Sequence, residues 1–198
     1  MSVVRVNQIQ DTSTNVAANI SCGVVTFTNP PVGLPANITV TADYVDTTSG
    51  TSIDFTIPAG VRRITALMRG VGLSGTAIAM FRLGNSSGIV TSGYRGVSSN
   101  DAGNTYTYSG YGEGFLIDNG NSPSAAHTRH GVFTLYLADA SSNVWVGAGN
   151  TCRGADGQDY NYISSGKVGI NSTCTTLRLT TSNGSDTFDG GNITILTE

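Results

Sequence analysis

Charge is what this sequence has least of. Only 12% of its 198 residues are Asp, Glu, Lys or Arg, about half the share in an ordinary domain. Lys167 is the single lysine, and 10 basic against 13 acidic side chains leave a formal charge of -3. Such a chain has no cationic field to displace counterions from nucleic acid and no polybasic stretch to hold an anionic membrane. Long apolar runs are missing as well, and nothing approaches the roughly 20 residues needed to span a bilayer. Neither nucleic-acid binding nor membrane insertion is expected. The N-terminus, MSVVRVNQ, turns polar too early for a secretory h-region, which predicts synthesis in a cytosol without that signal. Cysteine is scarce. Cys22, Cys152 and Cys174 cannot all pair within one chain and lack metal-type spacing. Three reduced thiols are the simple expectation, with a Cys152–Cys174 bridge as the alternative.

Hydroxyls and amides take the place of ions. Ser, Thr, Asn and Gly supply nearly half the chain, and 38% of it is hydrophobic. With glycine counted, the apolar share is that of a folded domain, so bulk disorder is not expected. Three of the five prolines, Pro30, Pro31 and Pro35, lie within six residues. Proline fixes φ and removes donors, so residues 29–35 read as an extended connector. Before it lie a first apolar cluster (Val3, Val4, Val6, Ile9), a polar run, and a short strand over 22–28 that holds Val24 and Phe27. Residues 1–35 are too few to bury a core alone, and they form a stem. Residues 36–198 form the head.

The head alternates with period two. Ile53, Phe55 and Ile57 face one way while Asp54 and Thr56 face the other. Residues 62–69 put Ile64, Ala66 and Met68 on one side, 131–138 align Phe133, Leu135 and Leu137, and 175–181 align Leu177 and Leu179. Ile193 and Ile195 sit in a last strand over 192–197. Further strands are read at 76–83, 89–94, 113–118 and 144–146. No ten-residue run carries a helical period, which predicts an all-β, antiparallel, jelly-roll-like β-sandwich. Two stretches read as long polar loops instead. Residues 97–112 carry Tyr106, Tyr108 and Tyr111, and residues 153–167 carry Asp156, Asp159, Tyr160 and Tyr162. Clustered tyrosines on loops of a stiff scaffold suit recognition, and these seven are the candidate receptor contacts. Packing of the loop tyrosines in a subunit interface is the other reading.

Residues 51–65 (TSIDFTIPAGVRRIT), 130–145 (HGVFTLYLADASSNVW) and 177–196 (LRLTTSNGSDTFDGGNITIL), with RVNQIQ at 5–10, resemble segments of tail-fibre and receptor-binding proteins of tailed bacteriophages, in the same order. The resemblance implies a homotrimeric fibre in the virion, assembled in the host cytoplasm. Its N-terminal stem would dock on other virion proteins of the tail, baseplate or capsid, and its head would touch the host surface. In such a trimer Val3, Val6, Ile9, Val24 and Phe27 would bury against symmetry copies. A weak charge field favours a bacterial surface glycan over a phosphate-rich ligand. A capsid- or baseplate-associated decoration protein is the alternative, and a polysaccharide depolymerase the next.

Several motifs have plainer readings. Gly70, Gly72 and Gly75 spell G-x-G-x-x-G, but a strand pattern follows where a dinucleotide site needs a helix N-terminus. His127 and His130 would meet on a threefold axis only in a particular trimer. They read as ordinary histidines at the start of a strand, and no metal is expected. No Ser–His–Asp set has an orienting context. Glu113 with Asp118, or Asp156 with Asp159, would have to flank a glycosidic bond to cleave it. No catalytic residue and no cofactor is assigned, and the expectation is a protein that is not an enzyme. Trp145 either packs inside the sandwich or between subunits, or forms an exposed sugar platform.

Overall fold

The computed structural model describes residues 8–10, 16–21, 24–27, 38–102, 105–120, 124–155 and 158–198, and no helix occurs among them. The chain divides into two compact units, Met1–Asn37 and Ile38–Glu198. In the first, β1 (Gln8–Gln10), β2 (Val16–Ser21) and β3 (Val24–Phe27) form a small antiparallel sheet in that order. The sequence suggested one short strand there, and the pairing adds two. Of the proposed stem contacts, Ile9 lies on β1 and Val24 and Phe27 lie on β3, whereas Val3 and Val6 lie outside the described residues, as does the proline-rich connector.

The second unit is a β-sandwich of two antiparallel sheets. Its strands are β4 (Thr39–Asp46), β5 (Ser52–Thr56), β6 (Arg63–Leu73), β7 (Ala79–Asn85), β8 (Gly88–Ile89), β9 (Arg95–Ala102) and β10 (Thr105–Tyr111), then β11 (Phe115–Leu116), β12 (Thr128–Asp139), β13 (Val144–Ala155), β14 (Gln158–Gly169), β15 (Thr176–Thr181) and β16 (Phe188–Thr197). The larger sheet has the order β10-β9-β14-β13-β12-β6-β16-β4. The smaller has the order β11-β7-β15-β5, with β8 paired to β7.

The alternating runs form strands because one side of each is apolar. Ile64, Leu177, Leu179, Ile193 and Ile195 are fully buried, and Phe133 and Leu135 nearly so. Each such side chain contributes about 1.5–3 kcal/mol over leaving it in water. Arg178 points out from between Leu177 and Leu179 and meets Asp54, its cross-strand partner, through two hydrogen bonds of 2.6 and 2.7 Å. Phe115 sits between Tyr94 and Phe133, with ring centroids at 5.3 and 6.0 Å. The buried Tyr94 hydroxyl accepts from the Leu83 N–H and donates to the Val90 carbonyl. Trp145 is 1% exposed, so it packs in the core.

The two stretches read as loops are instead strands. Residues 97–112 fall mostly on β9 and β10, and 153–167 on β13 and β14, paired in unbroken register from Val144↔Gly169 to Ala155↔Gln158. Along β13 and β14 the apolar pattern is interrupted by small inner-face residues, because aromatic rings from other strands occupy that space. A Cβ on Gly149 would lie 2.3 Å from Phe133 Cδ2, and one on Gly166 would lie 3.2 Å from Phe115 Cδ1. The strands read at 89–94 and 113–118 shrink to β8 and β11. Cys152 and Cys174 are both free thiols, the first exposed and the second buried, so the alternative bridge is absent.

Register gives the sandwich two distinct ends. Thr39 pairs with Thr197, and Thr197 with Ile64. The same end holds Trp145 opposite Val168 and Lys167 opposite Arg95. The chain enters the second unit at this end, through Ile38, and we call it the base. The other end, the tip, holds Gly72 opposite Thr128, Gly154 opposite Asp159, and Ala102 opposite Thr105. β12, β13 and β14 have 12 residues each, about 40 Å of extended chain from base to tip.

Candidate functional site

The inner face of the long strands changes character toward the tip. Phe133 and Leu135 occupy its middle. Two and four positions earlier on β12, the same face carries Gly131 and Arg129. Arg129 pairs in register with Arg153, Arg153 with Tyr160, Thr151 with Tyr162, and Tyr162 with Asn100. The segment following β11 lies over them and supplies Asp118, which is 0% exposed. Asp118 Oδ2 accepts from Arg129 Nε at 2.5 Å and lies 4.0 Å from Arg153 Nη1, while Oδ1 accepts from the Gly120 N–H at 3.2 Å. The Arg153 guanidinium lies 5.1 Å from the Tyr162 ring centroid and 5.7 Å from that of Tyr160, a cation–π arrangement in a desolvated setting. Asn119 Nδ2 donates to Asn100 Oδ1 at 2.7 Å, and the Thr151 hydroxyl donates to the Ile117 carbonyl at 2.7 Å. Buried charges of this kind are held only by pairing. Here the pairing ties three strands to the segment that crosses them, giving the tip a rigid floor.

The predicted contacts are dispersed by this geometry. Asp159 is exposed at the tip end of β14, and Tyr160 beside it is half-buried against Arg153. Tyr162 is a correction. It lies on the inner face and is fully buried, because its position on β14 has the parity of the core. Tyr106 and Tyr108 lie on edge strand β10, opposite Asp101 and Ser99. Tyr111 lies on the same strand opposite Gly96, nearer the base than the other two. Asp156 lies outside the described residues. The sequence reading missed Arg129 and Arg153 altogether, and it weighed Asp118 only as half of a carboxylate pair with Glu113. In the structure Asp118 is sealed against Arg129, and Glu113 bonds Arg82 at 3.1 Å.

The two histidines differ in environment. His127 is buried, whereas His130 is exposed, its Nδ1 accepting from the Gly70 N–H at 3.1 Å and its Nε2 lying 3.2 Å from Thr128 Oγ1. Among the described residues no group of three or more His, Cys, Asp or Glu side chains is placed to hold a metal ion. The glycine motif straddles the end of β6, and the chain runs on through bends into β7 without a helix.

Burial also leaves a signature in titration. Loss of solvent pushes the Tyr162 hydroxyl up to about 12, against the opposing pull of Arg153, and desolvation raises Tyr94 to about 12 as well. Both phenols ionise near 10 in the unfolded chain. Their contribution is therefore complete below pH 10 and is lost as pH rises from 10 toward 12. The expected result is a steep fall in melting temperature across that window, which Tyr94→Phe will reduce. A flat profile to pH 12 would show that neither hydroxyl is protected.

No family model, no curated protein and no solved structure matches this chain.

Proposed function

We propose that the chain is a tail-fibre-type structural protein of a phage virion, with a jelly-roll-like head. In this reading it assembles as a homotrimer through its first unit, docks there on other virion proteins, and holds bacterial surface glycan at the tip of its sandwich. It works by adhesion and performs no chemistry. The observation that carries the reading is the polarity of the second unit. The chain enters at the base, and the exposed Asp159 and half-buried Tyr160 lie at the opposite end, on long strands stiffened by the Asp118–Arg129–Arg153 cluster. A binding group held at the far end of a stiff body is what a fibre head requires, and the shortage of net charge suits hydrogen bonding and stacking on sugar hydroxyls and ring faces. Each contact would be weak, and three copies on one fibre would multiply the effect.

The test uses the purified full chain, its mass in solution, and a labelled form applied to a panel of bacterial strains. We expect a mass near three chains and adhesion to a subset of strains. Asp159→Ala with Tyr160→Ala will weaken adhesion by about tenfold, since one lost stacking ring is worth up to about 1.5 kcal/mol and the loss recurs on each copy. A stable monomer at micromolar concentration removes the trimer. A trimer that adheres to no strain carrying receptor for the parent virion removes the adhesive role and leaves a decoration protein.

A further inference from the structure

Three non-glycine residues among those described have positive φ: Asn143, Asn171 and Tyr44, the last at 49°. Asparagine tolerates this region, but an ordinary L side chain pays about 1–2 kcal/mol there. The conformation arises because β4 carries one extra residue: Val45 and Ala42 lie opposite Ile193 and Ile195 of β16, a β-bulge. The bulge is fixed by polar contacts. The Tyr44 N–H donates to Thr194 Oγ1 at 3.2 Å, and that hydroxyl donates to Asp43 Oδ1 at 3.3 Å. Glycine would satisfy this backbone with less strain, and burial does not compensate for tyrosine, whose side chain is 62% exposed.

The ring borders a depression of about 300 Å³ on the outer face of the larger sheet, with Leu67 in its lining and Asp43, Arg69, Asn192 and Thr194 around it. Arg63, Arg82, Arg129, Arg153 and Arg178 all face carboxylates, whereas neither Arg69 nor Asn192 makes a side-chain hydrogen bond or ion pair among the described residues.

We propose that this depression is a saccharide subsite in which Tyr44 stacks on the apolar face of a pyranose ring, Arg69 and Asn192 donate to its hydroxyls, and Asp43 accepts from them. A flat exposed ring beside free donors and an acceptor matches a molecule that presents C–H groups on one face and hydroxyls at its edge. Stacking needs a ring face free of axial hydroxyls, and a gluco-configured β-pyranoside offers two such faces, which makes it the probe of choice. The inference takes its ligand class from the glycan reading above, but it places a site on the flank of the sheet rather than at the tip, so the two can fail separately.

The experiment is saturation-transfer NMR on the full chain with methyl β-D-glucopyranoside and cellobiose at millimolar concentration, using the wild type, Tyr44→Gly and Tyr44→Trp. The expected result is strongest saturation at the hydrogens of one ring face. Tyr44→Gly binds about tenfold more weakly or worse, while its melting temperature holds or rises as the backbone strain is relieved. Tyr44→Trp keeps binding. Undiminished binding by Tyr44→Gly overturns this site and leaves the glycan reading standing. A wild type that adheres to cells yet binds neither sugar overturns this subsite as well. A Tyr44→Gly protein that melts earlier and loses oligomer mass shows that the ring packs on a second copy, and it overturns the proposal in favour of an interface.

Discussion

Replacing Asp118 by alanine will destabilise the sandwich by about 3–5 kcal/mol, the cost of removing one partner of a buried ion pair. The carboxylate is 0% exposed, and the arginines it faces, Arg129 and Arg153, are 3% and 1% exposed. Without it two guanidinium groups lie in the interior with one fewer counter-charge, and water reaches neither. For a domain of this size the melting temperature should fall by about 10 °C. Urea unfolding with the phenol and indole signals as probes measures the loss directly. The double variant Asp118→Leu with Arg129→Met removes the strongest contact, 2.5 Å between Arg129 Nε and Asp118 Oδ2, from both sides. It should recover part of the stability, because an apolar replacement of a buried pair is often neutral. A loss below about 1 kcal/mol for Asp118→Ala, the value of a surface pair, would mean that the tip is open to solvent.

Gly191→Ala should be comparably severe for a different reason. Gly191 has φ of 82° at a point where β16 skips register against β6. A Cβ there would lie 2.3 Å from the carbonyl carbon and oxygen of Gly70 and 2.5 Å from the Arg69 oxygen. Those atoms are backbone and cannot rotate away. The Gly191 carbonyl also accepts from the Thr47 N–H at 2.9 Å, so a shift of β16 disturbs a third segment. Backbone strain of about 1–3 kcal/mol and overpacking of about 1–3 kcal/mol add to about 4. Gly184→Ala is the control: φ is 66° but nothing lies within 4 Å of its added Cβ, so only the strain remains. Equal losses in the two variants would show that crowding at the β6–β16 crossing is relieved without penalty.

The strands that the sequence revealed are those whose core face is made by their own side chains. Ile53 and Phe55 on β5, Leu177 and Leu179 on β15, and Ile193 and Ile195 on β16 all alternate with polar neighbours. β13 beyond Val146 and most of β14 escaped notice because Gly147, Gly149, Ser164 and Gly166 occupy their inner positions. Those positions are small because Phe115 and Phe133 need the room, and a local window cannot see a ring that arrives from another strand. The same limit hid the tip cluster. Arg129 and Arg153 become neighbours only through the β12–β13 register, and Asp118 reaches them across the interior from the segment after β11. Asp159 and Tyr160 were legible as polar and aromatic residues together. Tyr162 was misplaced because a loop has no parity and a strand does.

The place of β16 has a consequence for biosynthesis. It lies between β4 and β6 in the larger sheet, and Thr41 bonds Thr197 across 156 residues of chain. While the ribosome is still making the intervening segments, β4 and β6 each expose a row of unsatisfied amides and carbonyls. Those rows are templates for pairing with other nascent copies, and such distant pairing closes slowly. The sandwich is therefore completed only once residue 197 has emerged, and crowded synthesis on one messenger is the moment of greatest exposure to misassembly.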